Sequence, residues 1–276
     1  MESFPKKRQQ RQGRLRETER DNVSSVRYLS GICGWLKLAG ESFLDLCLPK
    51  ICAGCEAVGI PGDGSWCADC LERLPRIHSP MCPLCGRPFT DSPDSHDHLC
   101  GECIQSAFHF DSARSAVFHS GTVRDRVHQF KFGARMEWVP PLVELLRIAY
   151  ADSGFPVPDL IVPVPLHPHR LKQRGFNQSG LLAREFSRRT GLAVSFDTLE
   201  RKNRTEPQTR LNRAERLKNV KGAFNVAPGA DVKGRIVLLL DDVFTTGTTL
   251  SECAKTLKKK GASGVYALTI TRALPD

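Results

Sequence analysis

Two adjacent carboxylates, Asp241 and Asp242, stand two residues before a turn made of Thr245, Thr246, Gly247, Thr248 and Thr249. Hydroxyls around one glycine at the start of a helix make a phosphate cradle. Backbone N–H groups at the helix N-terminus point at the anion, and the helix dipole favours its charge. The paired acids sit where open α/β sheets place polar ligand contacts. A second charged stretch carries Arg170, Lys172, Arg174, Gly175, Asn177 and Gln178. Arginine forks phosphate oxygens bidentately and glycine lets backbone approach closely, which is chemistry for a second, more highly charged phosphate group. A third set is made of thiols: Cys52, Cys55, Cys67, Cys70, Cys82, Cys85, Cys100 and Cys103 form four C-x-x-C knuckles separated by 11, 11 and 14 residues.

Each knuckle places two thiolates on one tight turn, and two knuckles complete a tetrahedral site for Zn²⁺. Sequential pairing gives two zinc ribbons and interleaved pairing a cross-brace; shorter loops favour the ribbons. Four thiolates leave no open position for water, so both sites read as structural. Little apolar sequence separates the knuckles, so metal must supply most of the folding energy there, about 10 kcal/mol per site. His96 and His98 are spare donors beside eight sufficient cysteines. Redox chemistry is the lesser reading, because no thioredoxin-like βαβ pattern surrounds the motifs.

The elements that position these groups are legible around them. Ile236–Leu240 is a continuous apolar run, expected as a parallel strand buried on both faces. Leu250, Cys253 and Leu257 have helical spacing to about Lys260. An ordinary strand–turn–helix with a threonine N-cap competes with the cradle, and four threonines and a glycine straight after Asp-Asp weigh against it. Residues 159–165 form a short strand, which delivers the basic loop into a helix expected from about Gly180 to Thr190. Val123, Val127 and Phe130 place a helix over residues 121–132. Leu142, Leu145, Leu146 and Ala149 mark another from about 136 to 150, with Pro140 and Pro141 in its first turn. Strands are expected within 107–119, from Phe224, and over 265–271. Residues 200–222 are polar and strongly basic, with the composition of a lid that closes over phosphates.

Upstream, residues 1–28 carry eight Lys or Arg and few apolar side chains, and are expected to be a disordered basic tail. Residues 29–48 read as an amphipathic helix ended by Pro49. The expected organisation is therefore tail 1–28, helix 29–48, double zinc ribbon 49–106 and α/β domain 107–276. The net charge of +10 over 276 residues favours phosphate-rich ligands or nucleic acid. The chain has no run of 18 apolar residues, so no membrane span is expected. No secretory signal is visible, and the C-x-x-C clustering points to metal in a reducing cytoplasm.

The hydrophobic strand, two acids and Thr-Thr-Gly-x-Thr resemble the ribose-phosphate-binding signature of type I phosphoribosyltransferases. Across roughly 43–276 the chain resembles the ComF/GntX family, associated with competence and DNA uptake in bacteria. That resemblance rests on the double C-x-x-C module, Lys131-Phe132-Gly133, Val162–Pro165, Arg170, Arg174–Gln178, Arg204-Thr205, Gln208, Arg213, Arg216 and Asn219-Val220, together with Asp241–Thr249. It implies a parallel-sheet, type I phosphoribosyltransferase-like domain behind the ribbons, and phosphoribosyl pyrophosphate (PRPP) with Mg²⁺ as ligand. Asp241 and Asp242 would hold the ribose hydroxyls, directly or through Mg²⁺, and Thr245–Thr249 the 5-phosphate. The 170–178 loop would hold pyrophosphate, and Arg204, Gln208, Arg213 and Arg216 would form the lid. The acceptor is not implied. A non-catalytic factor that binds single-stranded DNA and senses PRPP, with other competence proteins as partners, is the alternative to an enzyme.

Overall fold

The computed structural model describes residues 49–60, 64–89, 96–105, 108–201 and 220–274. The expected tail and helix at 1–48 and the lid residues Arg204, Gln208, Arg213 and Arg216 lie outside them. By contact the chain divides into two compact units, residues 1–51 with 57–60 and residues 52–56 with 61–276. In the first, Ile51 and Val58 form an antiparallel bridge, and the Gly59 N–H donates to the Lys50 carbonyl at 2.8 Å. The elements named from here on belong to the second, beginning with the short helices α1 (Ala68–Glu72) and α2 (Gly101–Gln105) among the cysteine knuckles.

Its centre is a parallel sheet of β1 (Ser112–Phe118), β2 (Leu160–Pro163), β5 (Ile236–Phe244) and β6 (Gly264–Arg272), in the order β1-β6-β5-β2. The small β3 (Leu199–Arg201) and β4 (Phe224–Val226) pair antiparallel. The apolar run on β5 is buried on both faces, as its composition requires. Alternate residues serve two cores. Val237 and Leu239 join Val265, Ala267, Ala113 and the buried face of α7 (Thr248–Lys259). Leu238 and Leu240 join Leu268, Ile270 and Ile161 beneath α3 (Gly121–Gly133), α4 (Val139–Ala151) and α6 (Gln178–Thr190). On α3 the buried residues are Val123, Val127 and Phe130, the spacing read from the sequence. The first turn of α4 holds proline, preceded by a 3₁₀ turn at Met136–Trp138. Among the described residues no helix is long and apolar enough to cross a membrane.

The expected basic loop is in part a helix. His167 caps α5 (Pro168–Arg174) by accepting from the His169 N–H, Pro168 stands in the first turn, and Gly175 ends the helix at φ 78°. Proline at the start and a left-handed glycine at the stop are helix signals. With two turns and no buried residue, α5 has no apolar stripe by which periodicity could reveal it.

Both sheet edges are covered. On the β1 side, Ile77 N–H donates to the Ala116 carbonyl at 3.1 Å, Phe118 N–H to Pro75 at 2.9 Å and Ala113 N–H to Leu84 at 2.8 Å. On the β2 side, residues 193–195 clasp Ile161: its N–H donates to Ala193, and Ser195 donates to its carbonyl.

Candidate active site and metal centres

β2 ends at Pro163, opposite Leu240, while β5 continues through Asp241 and Asp242 to Phe244 with only β6 beside it. The two acids therefore line the crevice opened where a strand leaves the sheet. Alternation along β5 separates their surroundings. Asp241 Oδ1 accepts from Ser179 Oγ at 2.8 Å and from the Asp242 N–H at 2.9 Å. Asp242, with its side chain 6% exposed, pairs through Oδ2 with Lys131 Nζ of α3 at 2.8 Å. Asp241 is partly open to the crevice but ringed by packed protein. Removal from water first, and the neighbouring Asp242 charge second, push its carboxyl up to about 7.

Directly after β5, Gly247 takes φ 69° and serves as N-cap of α7 without a side-chain cap. A Cβ there would lie 2.6 Å from Phe244 Cζ and 3.0 Å from Phe108 Cε1, so the turn lies directly on aromatic rings. Thr246 and Thr248 hydroxyls bond each other at 2.8 Å. The N-cap of α7 thus supplies no side-chain acceptor, and the helix N-terminus lines a cavity of about 630 Å³.

That cavity joins the two phosphate motifs: Asp241, Asp242, Thr245, Gly247, Thr248 and Thr249 line it, together with Arg170, Arg174 and Gln178. Gln178 is 4% exposed, and its buried Oε1 has no hydrogen-bond partner among the described residues. Lys172 is exposed on α5 and does not line the cavity. Gly175 and Asn177 shape the backbone around it: Gly175 ends α5, while the Asn177 side chain caps α6 by accepting from the Ser179 N–H and donates Nδ2 to the Val164 carbonyl.

Three side chains that the phosphate motifs did not mark complete the wall. Lys131 reaches Asp242 from α3, far away in sequence, and its place in the Lys131-Phe132-Gly133 motif was the signal that marked it. Arg201 ends the three-residue β3, buried, its guanidinium 5.3 Å from the Phe224 ring. Phe132 is 59% exposed at the cavity, with Arg174 4.9 Å above its ring and His128 at a centroid distance of 4.7 Å. Burial chiefly, and the nearby Arg170 charge, lower the Arg174 pKa, while Asp242 opposes them.

The thiols form two groups in sequential pairing, Cys52, Cys55, Cys67, Cys70 and Cys82, Cys85, Cys100, Cys103, with the sulfurs of each within 4.8 Å of one another. Cys55–Cys67 and Cys85–Cys100 Sγ distances of 3.8 and 3.7 Å match the edge of a ZnS₄ tetrahedron, about 3.8 Å for a Zn–S bond of about 2.3 Å. Backbone amides already serve thiolates. Burial disfavours the Cys52 anion, yet N–H groups of Cys67, Cys55 and Gly54 outweigh it and bring its pKa to about 6. Burial and neighbouring sulfurs raise Cys70 to about 12. Such a cluster carries several thiolates together only around a cation, so the residues fit the structural zinc of a double ribbon.

The ribbons are tied down separately. In the first, the Ala53 carbonyl accepts from Arg126 Nε at 2.9 Å and Ser65 N–H donates to Glu144 at 2.6 Å. The second, with all four cysteines buried, lies against β1 and β6. Arg114 and Ser112 donate to the Pro83 carbonyl, and Arg272 Nη1 donates to the Cys85 carbonyl at 2.6 Å.

Comparison with known proteins agrees with this arrangement. A double zinc ribbon domain family matches residues 43–104 and a phosphoribosyl transferase domain family matches 171–273. The chain is 33% identical to the DNA utilization protein YhgH of Escherichia coli, over 83% of this chain and 100% of that one. It is 30% identical to the competence protein ComFC of Bacillus subtilis, over 76% of this chain and 85% of that one. Glutamine PRPP amidotransferase from B. subtilis superposes with a TM-score of 0.36 at 20% identity, over 52% of this chain and 30% of that one.

Proposed function

The chain belongs to the ComF family of proteins with a double zinc ribbon and a phosphoribosyltransferase domain, and on that premise we propose that its cavity binds PRPP with Mg²⁺ and transfers the phosphoribosyl group to an acceptor. The observation that carries this reading is the meeting of three groups around one cavity: the Asp241–Asp242 pair, the N-terminus of α7, and Arg170, Arg174 and Arg201. Acids for sugar hydroxyls, a helix end for one phosphate and arginines for a more highly charged one match PRPP better than a simple nucleotide.

The 5-phosphate sits at Thr245–Thr249 and receives the first-turn N–H groups of α7. The ribose hydroxyls meet the second carboxylate oxygens of Asp241 and Asp242, which carry no hydrogen bond among the described residues. The pyrophosphate lies toward Arg170, Arg174 and Arg201, with Gln178 Oε1 buried beside it. Paired carboxylates fit the oxygen preference of Mg²⁺: Asp241 and Asp242 would hold it, and it would supply positive charge against the departing pyrophosphate. Lys131 compensates the Asp242 charge through the 2.8 Å ion pair.

Transfer breaks the bond between ribose C1 and pyrophosphate, whose oxygen leaves with the electron pair, while an acceptor lone pair forms the new bond to C1. The ribosyl centre is cation-like in between. The chain's part is therefore to stabilise the departing anion and keep water out. The experiment is calorimetric titration with PRPP and Mg²⁺, followed by pyrophosphate release with a panel of bases, amines and nucleosides. Absence of PRPP binding refutes the reading.

A second reading, a single-stranded DNA site that senses PRPP, is favoured by Phe132, an exposed ring between Arg174 and His128 on which a base can stack. Its affinity should fall steeply with salt as counterions are released, and Phe132→Ala should weaken it at every salt concentration.

A further inference from the structure

Arg272, the last residue of β6, is only 4% exposed. Among the described residues no carboxylate pairs with its guanidinium. Its contacts are with a metal knuckle and a ring: Nη1 donates to the Cys85 carbonyl at 2.6 Å, Nη2 lies 3.5 Å from Cys85 Sγ, and the guanidinium carbon is 4.3 Å from the Phe244 ring centroid. A buried cation needs a counter-charge. Zinc held by four thiolates is a dianion, and the second centre is the nearest negative charge these contacts offer.

Phe244 also touches the Thr245–Thr249 turn. The turn glycine, Gly247, approaches Phe244 so closely that a Cβ would fall 2.6 Å from the ring. Phe244 is buried, held edge-on by Phe108 and Phe110 at centroid distances of 6.4 and 6.2 Å, and these two rings stack at 4.8 Å. Backbone hydrogen bonds fix Arg272 and its successor: His119 N–H donates to the Arg272 carbonyl at 2.8 Å and Ala273 N–H to the Phe244 carbonyl at 2.9 Å. A continuous series of contacts therefore runs from Cys85 through Arg272 and Phe244 to Gly247. Among the described residues the first centre shows no such series: its segments are tied to Arg126 and Glu144 on α3 and α4.

We infer that Arg272 is a positioning residue that couples the second tetracysteine centre to the Thr245–Thr249 turn, so that metal at Cys82, Cys85, Cys100 and Cys103, rather than at the first centre, holds that turn in shape. That the turn binds phosphate rests on the reading above; the coupling itself is a property of the protein without ligand. The two are therefore tested apart.

The test uses the full zinc-loaded chain without PRPP and follows amide hydrogen exchange across residues 243–250. Arg272→Gln should keep both zinc equivalents by metal analysis, yet speed exchange in this stretch by about tenfold or more. Arg272→Lys, which keeps a cation and a donor for the Cys85 carbonyl, should recover most of the protection. Cys85→Ser, which opens the second centre, should reproduce the Arg272→Gln pattern, and Cys55→Ser, which opens the first, should leave residues 243–250 unchanged. If Arg272→Gln fails to fold, the Cys85→Ser and Cys55→Ser comparison decides. Equal exchange in those two variants, or unchanged exchange in a folded, zinc-replete Arg272→Gln, overturns the proposal. Calorimetry with PRPP on the wild-type chain separately reports on the phosphate reading.

Discussion

Gly247→Ala is the sharpest perturbation of the phosphate turn, because two costs can be worked out from its geometry. The residue sits at φ 69°, where an L-side chain costs about 1–2 kcal/mol. The new Cβ would also meet Phe244 Cζ at 2.6 Å and Phe108 Cε1 at 3.0 Å, distances that real Cβ contacts do not tolerate without movement. Neither ring is free to swing, since Phe108 stacks on Phe110 and Phe244 lies under the Arg272 guanidinium. Overpacking a fixed site costs a further 1–3 kcal/mol or about that, for a total of about 3 kcal/mol. Gly175→Ala supplies the control: its φ is 78° but nothing lies within 4 Å of the added methyl, so only the backbone cost of about 1 kcal/mol applies. Urea unfolding of the two zinc-loaded variants, followed by circular dichroism, should separate them by about 2 kcal/mol. If Gly247→Ala is no less stable than Gly175→Ala, Phe244 is not held in place. The contact series from Arg272 to the turn then loses its middle link.

Asp241→Asn and Asp242→Asn should each abolish pyrophosphate release from PRPP with Mg²⁺; release that survives either substitution removes that acid from the ribose site. Lys131→Met leaves Asp242, with its 6% exposed side chain, without its cation and should cost about 3 kcal/mol in urea unfolding. The Lys131→Met/Asp242→Asn double variant should then be more stable than Lys131→Met alone, and simple additivity would mean the pair is not coupled. Asp241 titrates near 7 in the folded chain, above the ordinary carboxylate value of about 4. The folded state therefore holds a proton that the unfolded state has lost, and the resulting stability declines as pH rises through about 7. Between pH 6 and 8 the urea midpoint of the wild type should fall relative to that of Asp241→Asn, and parallel profiles would contradict the shift. Over the same range, PRPP with Mg²⁺ should bind more tightly as pH rises, because the ribose role requires the ionised acid.

The parts legible in the sequence are those with a local period or spacing. Cysteine knuckles reveal two metal centres because each ligand pair is local, and the shorter loops already favoured the sequential pairing that the sulfur positions display. The apolar run of β5 and the Val123, Val127, Phe130 stripe declare their elements because burial demands such patterns. What stayed hidden depends on tertiary placement. The short α5 has no buried residue and so no stripe. Lys131 meets Asp242 only because α3 packs over the sheet beside β5. Arg201 and Arg272 look like ordinary strand-end cations until the fold shows that both are buried. Lys172 failed to join the cavity because helical geometry carries it away from Arg170 and Arg174, a separation that a loop reading does not foresee.

The position of β6 orders events during synthesis. This strand is made after the other three of its sheet, yet it lies between β1 and β5. All eight metal ligands have been translated by Cys103, whereas the sheet cannot close until the ribosome has passed Arg272. The nascent chain can thus load metal while β1 still waits for its partner. The segments that later cover the β1 edge, residues 75–77 and Leu84, are likewise translated before β1 itself. A strand edge open to other chains invites misassociation. Here its cover is on hand from the moment the edge is made.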